Sequence, residues 1–272
     1  MVSRRPTSGI IIRSFQERVK LYSKAIELPK TGLNYSQIAR ELERSFGSKL
    51  DPSQVSSWVR GLSSPYGRVY RFEPKAIPEL AYVMGVRVGD AAQSKNWHHN
   101  YMIRLRVTDK DFAEEFARCA SVVLRSKPVK LWWYSKRKMW AAEVNSMMLY
   151  EFLKGDMNHF RPFIEHCKSC TGAFLRGFFD GEGSSSRGHV TAYNGDLQLL
   201  KYVRLLLRKT FAIRSTGPHI TGPPPGGTIM IKGKFYRVNR PHAHIYICGQ
   251  DTTKFAETIG FSILRKQRNL AV

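Results

Sequence analysis

Apolar residues along this 272-residue chain follow two different rhythms. Over the first 75 positions they recur at steps of three and four, as on one face of a helix. Ile11, Ile12, Phe15, Val19, Tyr22 and Ile26 mark a first helix, and Asn34 can cap a second that carries Ile38, Ala39, Leu42 and Phe46. Asp51-Pro52 supplies a cap followed by proline at the first helical position. A third helix then carries Val55, Trp58 and Val59, and Gly61 stands where a C-terminal glycine belongs. Residues 1–75 are thus predicted to be a helical domain, with 62–75 as its linker.

Further on, the step changes to two. Residues 101–108 alternate, with Tyr101, Ile103, Leu105 and Val107 on one face and Met102, Arg104, Arg106 and Thr108 on the other. A helix follows (Phe112, Phe116, Ala117, Val122), then strands at 129–134 and 139–144 around the basic tip Ser135-Lys136-Arg137-Lys138, then a helix at 147–153. The same order returns: a strand at 188–193, a helix near 196–211, a Pro/Gly-rich loop at 217–227, strands near 228–232, 235–238 and 242–248, and a last helix from about Thr252. Each half is preceded by a related segment, ELAYVMGVRVGDA at 79–91 and GAFLRGFFDGEG at 172–183. Ala81, Gly85, Gly89 and Asp90 match Ala173, Gly177, Gly181 and Glu182 at a constant offset of 92 residues. Residues 76–171 and 172–272 therefore read as two copies of one α+β unit, helices packed on one sheet face and the other face open.

Charge narrows the partners. Lys and Arg number 44 against 21 Asp and Glu, a formal net charge of +23. The first 79 residues hold 14 of the former and 7 of the latter, so the excess is spread and not a basic tail. A folded chain of this kind is expected to meet a polyanion, nucleic acid first. Tyr35 to Gly61 resembles a helix-turn-helix module, with Gln54, Ser56, Ser57 and Arg60 on the exposed face of its third helix as DNA contacts. No apolar run reaches the roughly 18 residues of a membrane span, and Ile10-Ile11-Ile12 ends at Arg13, so an intracellular, cytoplasmic protein without a membrane partner is expected. Cys167-x-x-Cys170 beside His166 invites zinc, but no second pair completes four ligands, so a zinc site is not expected.

The repeated segment carries the chemistry. Small residues four apart form a flat strip, along which two helices can cross backbone to backbone. That crossing would bring Asp90 and Glu182, one residue past each last glycine, together at its base. Two carboxylates at helix C-termini repel one another unless a cation sits between them. All-oxygen ligands favour Mg²⁺, held by Asp90 and Glu182 with Gly89 and Gly181 beside them; Mn²⁺ is expected to substitute, and Ca²⁺ to bind without supporting efficient cleavage. On a basic protein such a site points to phosphodiester hydrolysis.

GVRVGDA and FLRGFFDGEG resemble the two LAGLIDADG motifs of a single-chain homing endonuclease of the intron-encoded type, here with an extra N-terminal helical domain. The resemblance spans residues 76–272 and implies two pseudo-symmetric αββαββα units forming a DNA-binding saddle. It implies a monomeric enzyme that needs no protein partner and cuts both strands of a long asymmetric duplex. It assigns metal binding to Asp90 and Glu182, leaves Asp180 as helix-end structure, and notes Ala91 where the family prefers glycine. It also implies that Lys110 (beside Asp109, where an amide is usual), Asn194 in the corresponding place of the second copy, and Lys266 order water and offset charge at the scissile phosphates. Arg104, Arg106, Lys136, Arg137, Lys138, Arg187, His242 and His244 would face DNA. Trp132, Trp133 and Trp140 read as core or sheet packing, and His98-His99-Asn100 lacks the partners of a nuclease motif. An RNA-splicing maturase or a non-cutting DNA-binding regulator on the same fold stands as the alternative; the lack of a surrounding splicing domain favours the intron-encoded, free-standing enzyme.

Overall fold

The computed structural model describes residues 13–65, 72–95, 101–231, 233–239 and 242–270. Ile11 and Ile12, residues 66–71 of the predicted linker, His98-His99-Asn100 and Lys232 lie outside the described residues. The chain divides into two compact units between Val69 and Tyr70.

In the first unit, α1 (Phe15–Glu27), α2 (Tyr35–Phe46) and α3 (Pro52–Val59) are each started by a side-chain cap. Ser14 and Glu17, and Asn34 and Gln37, exchange reciprocal bonds, while Asp51 accepts from the Ser53 amide. Gly61 follows α3 with φ +70°, a conformation that favours glycine. The core is Leu21, Ala25, Ile38, Ala39, Leu42, Leu50, Val55 and Trp58. Two expectations are corrected. α1 buries Leu21 and Ala25 and leaves Ile26 39% exposed, and Phe46 is 44% exposed at the end of α2. The pattern of large residues placed the buried stripe of α1 one residue out of phase, because the small Ala25 carries the contact.

The second unit runs twice through one pattern. The first half is α4 (Pro78–Val88), β1 (Ala92–Lys95), β2 (Tyr101–Val107), α5 (Lys110–Val123), β3 (Leu131–Tyr134), β4 (Met139–Asn145), α6 (Met147–Phe152) and an additional α7 (Met157–Ile164). The second half is α8 (Lys168–Glu182), β5 (Gly183–Ser186), β6 (His189–Asn194), α9 (Leu197–Phe211), β7 (Ser215–Thr221), β8 (Thr228–Ile231), β9 (Lys234–Arg237), β10 (His242–Ile247), α10 (Thr252–Thr258) and α11 (Leu264–Arg268). The sheets have orders β1-β2-β4-β3 and β5-β6-β10-β7, the same topology, with β8 and β9 as a separate hairpin. The loop expected at 217–227 therefore begins inside β7, the third strand of the second sheet. Gly217, at φ +96°, and Pro218 hide the alternation that marks a strand, and β10 absorbs the irregularity with a register shift between His244 and Tyr246.

One continuous core joins the two halves. Its centre is the crossing of α4 and α8. A Cβ on Gly85 would lie 2.2 Å from the Phe174 carbonyl oxygen, and one on Gly177 would lie 2.4 Å from that of Tyr82. Only glycine permits this approach, and the approach sets where both helix ends arrive.

Candidate active site

α4 and α8 end side by side. A Cβ on Gly181 would meet the Asp90 Oδ2 at 3.2 Å, and one on Gly89 would meet the Glu182 Cγ at 3.3 Å. Each acid thus lies against the last glycine of the other helix. Partial burial raises both carboxyls; Glu182 is pushed to about 7, with Asp90 as the second cause, while Lys266 opposes the rise in both. Asn194 Nδ2 donates to Glu182 Oε1 at 2.9 Å and fixes that carboxylate.

Lys266 is the cation of the site. It is only 7% exposed, and its Nζ donates to the Asp180 carbonyl at 2.6 Å. Burial lowers its pKa, against the attraction of Asp180, Asp109 and Asp90. Both halves hold its short helix. From the first, Asp109 takes a two-oxygen pair from Arg265 at 2.6 and 2.8 Å, and Asp111 accepts the Leu264 amide at 2.6 Å. From the second, Ser185 Oγ donates to the Lys266 carbonyl at 2.6 Å. Asp180 is buried, accepting from the Tyr82 hydroxyl at 2.7 Å and the Ser262 amide at 2.9 Å; burial raises it to about 6. Sequence reasoning missed Arg265, Ser262 and Tyr82, because their partners are 82 to 156 residues away and no spacing marks them.

Lys110 pairs its ammonium with Glu114 at 2.8 Å and lies over the Trp140 ring, on an exposed surface. The matching of Asn194 to Asp109 and Lys110 also shifts. Ala92 pairs with Arg104 on β2, and its counterpart Ser184 pairs with Thr191 on β6. Val107 therefore occupies the register position of Asn194, two residues before Asp109. The first half has a buried valine where the second has an amide.

The remaining candidates lie on the sheets and their turns. Arg104 pairs with Glu143 across β2 and β4, and Arg106 lies over the Tyr134 ring at 5.1 Å. Lys136, Arg137 and Lys138 form an exposed turn, and Arg187-Gly188, both at positive φ, form the two-residue turn between β5 and β6. His242 stacks on Tyr193, and His244 sits between Tyr193 and His219. The packing expectation for the tryptophans is corrected in part: Trp133 pairs with Trp140, but Trp132 and Trp133 are exposed, since β3 is an edge strand. In the first unit Arg60 is exposed, whereas Gln54, Ser56 and Ser57 are half-buried.

A hard divalent cation suits the donor set. Asp90 and Glu182 offer carboxylate oxygens, and Gly89 and Gly181 carry helix-end carbonyls with no intrahelical partner. The glycines leave room for the acids, and Lys266 is the cation near the pair that both acids feel.

Comparison with known proteins follows the same line. Residues 169–260 match the model of the LAGLIDADG-like domain. The chain is 28% identical to an uncharacterized protein of Methanocaldococcus jannaschii, MJ0398, over 94% of each chain. Among solved structures it is similar to I-DmoI in complex with DNA and Ca, at TM-score 0.53 and 18% identity, over 73% of this chain and 99% of that one. Mesophilic variants of the homing endonuclease I-DmoI match at TM-score 0.51 and 18% identity, over 67% and 95%. No described helix is long and apolar enough to cross a membrane. Residues 169–260 thus match a LAGLIDADG-like domain, and they lie within a duplicated unit that has the fold of the homing endonuclease I-DmoI.

Proposed function

We propose that this protein is a site-specific DNA endonuclease that hydrolyses both strands of a long asymmetric duplex with a divalent cation. The observation that carries this reading is the acid pair: Asp90 and Glu182, one from each half, laid against each other's glycines with Lys266 beside them. A net charge of +23 and basic turns on both sheets support DNA as the partner. Two unlike halves would each read one half-site, so a single chain suffices.

Asp90 and Glu182, with the Gly89 and Gly181 carbonyls, would hold the cation, Mg²⁺ by the hardness of its oxygen donors, with Mn²⁺ as a substitute and Ca²⁺ as a non-catalytic occupant. When bound, the ion would activate water and offset charge on the leaving oxygen. Asn194 orients the Glu182 carboxylate, and Lys266 sets a positive charge beside the acids for the phosphate. Arg104, Arg106, Arg187, His242, His244 and residues 136–138 would meet the duplex from the sheets and turns, and residues 1–75 would add contacts through Arg60, Gln54 and Ser57.

The test is cleavage of a duplex selected from a randomised pool. Asp90→Asn and Glu182→Gln should retain binding in a gel-shift assay and lose double-strand cleavage in Mg²⁺. Wild-type cleavage by either variant removes the acid pair from the chemistry.

A further inference from the structure

We infer that His166, Cys167 and Cys170 form a second metal site, for a borderline-soft divalent ion such as Zn²⁺, at the start of α8. A ring nitrogen of His166 and the two Sγ atoms all lie within 4.8 Å of one another. No other group of three His, Cys, Asp or Glu side chains among the described residues gathers in this way. Zinc–ligand distances of about 2.0–2.3 Å imply tetrahedral edges of roughly 3.3–3.8 Å. Closing on an ion therefore asks for shifts of about 1 Å, and the exposed His166 side chain has the freedom to supply them.

The local backbone already presents the sulfurs. Cys167 is the N-cap of α8, and its Sγ accepts from the Cys170 amide at 3.4 Å and contacts Ser169 Oγ at 3.0 Å. Cys170, three residues on and fully buried, lies on the same helix face. The neighbouring Lys168 ammonium is turned onto the Phe211 ring. Cys167 and Ser169 also line an open cleft of about 680 Å³ with Arg176, Phe211 and Thr258. Three protein ligands beside a cleft leave the fourth position to water or an exogenous donor. A four-residue protein cage would instead close it.

The site is separate from the acid pair. α8 begins here and ends at Glu182, 15 residues or about 22 Å away. The ions differ as well: thiolate and imidazole select zinc-like metals, and the carboxylates select Mg²⁺.

Co²⁺ added to the reduced, full-length protein reports the site through its thiolate charge-transfer absorption, and Zn²⁺ competing with a chromophoric chelator gives stoichiometry and affinity. Cys167→Ser keeps an N-cap side chain, so the helix start is retained. We expect one thiolate-bound equivalent in the wild type, its affinity weakened at least about tenfold in Cys167→Ser and His166→Ala, and no change in the charge-transfer band in Cys248→Ser or Asp90→Asn. Absence of the charge-transfer band, full affinity in His166→Ala, or loss of that band in Asp90→Asn would each overturn the assignment.

Discussion

Glu182→Gln should stabilise the ion-free protein, by an amount that grows as pH rises from 4.5 and is full above 7. The carboxyl is raised from 4.5 to about 7, first by burial and then by Asp90. A folded-state pKa above the unfolded value means that the folded form favours the protonated acid. The stability this gives is fully present below pH 4.5 and is lost as pH rises through 7. Each pKa unit corresponds to about 1.4 kcal/mol, so the whole shift is about 3 kcal/mol, or about 2–3 after allowance for partial solvent screening. Gln keeps an oxygen to accept from Asn194 and removes the charge. Thermal melts at pH 4 and pH 8, without divalent ions, compare the two proteins. The variant should match the wild type at pH 4 and melt roughly 5–10 °C higher at pH 8. Adding Mg²⁺ at pH 8 should raise the wild-type midpoint and narrow the gap. An equal or lower midpoint for the variant at pH 8 would refute the crowded-acid geometry.

Gly85→Ala places a methyl 2.2 Å from the Phe174 carbonyl, a backbone atom that cannot rotate away; it should cost more than the usual overpacking loss of about 1–3 kcal/mol, read as a drop in melting temperature. Arg265→Ala removes an exposed pair to Asp109, so stability should change by less than about 1 kcal/mol, while DNA cleavage falls more than DNA binding because Lys266 loses part of its support; equal losses in both assays would contradict that role. Deleting residues 1–69 should weaken DNA affinity and leave cleavage chemistry intact, and unchanged affinity in a gel shift would reduce the first unit to a packing module.

The duplicated unit and the N-terminal helices were legible because their signals are local. Ala81, Gly85 and Gly89 repeat within one helix, and Asp51-Pro52 and Asn34 cap helices over a few residues. The strand at 215–221 was not, because its first residues include Gly217 and Pro218, which imitate a turn, and pairing with β10 is what makes it a strand. In the candidate site, the two acids and Lys266 were named from the motif and the closing segment. Their support was not: Asp109 reaches Arg265 across 156 residues, and such pairings leave no period in a sequence. Val107 against Asn194 shows the same limit, since only sheet register reveals which residues of two diverged copies correspond.

The glycine crossing has a consequence for how such a chain can change over generations. Gly85 receives the backbone of the second half and Gly177 that of the first, so each helix is the mould of the other. A chimera that joined the front of this protein to the rear of a distant cousin would inherit an ill-matched seam, however sound each piece. Exchange of halves between lineages is therefore expected to succeed only where both crossing helices travel as a set, leaving strands and turns free to diversify around an inherited hinge-pin.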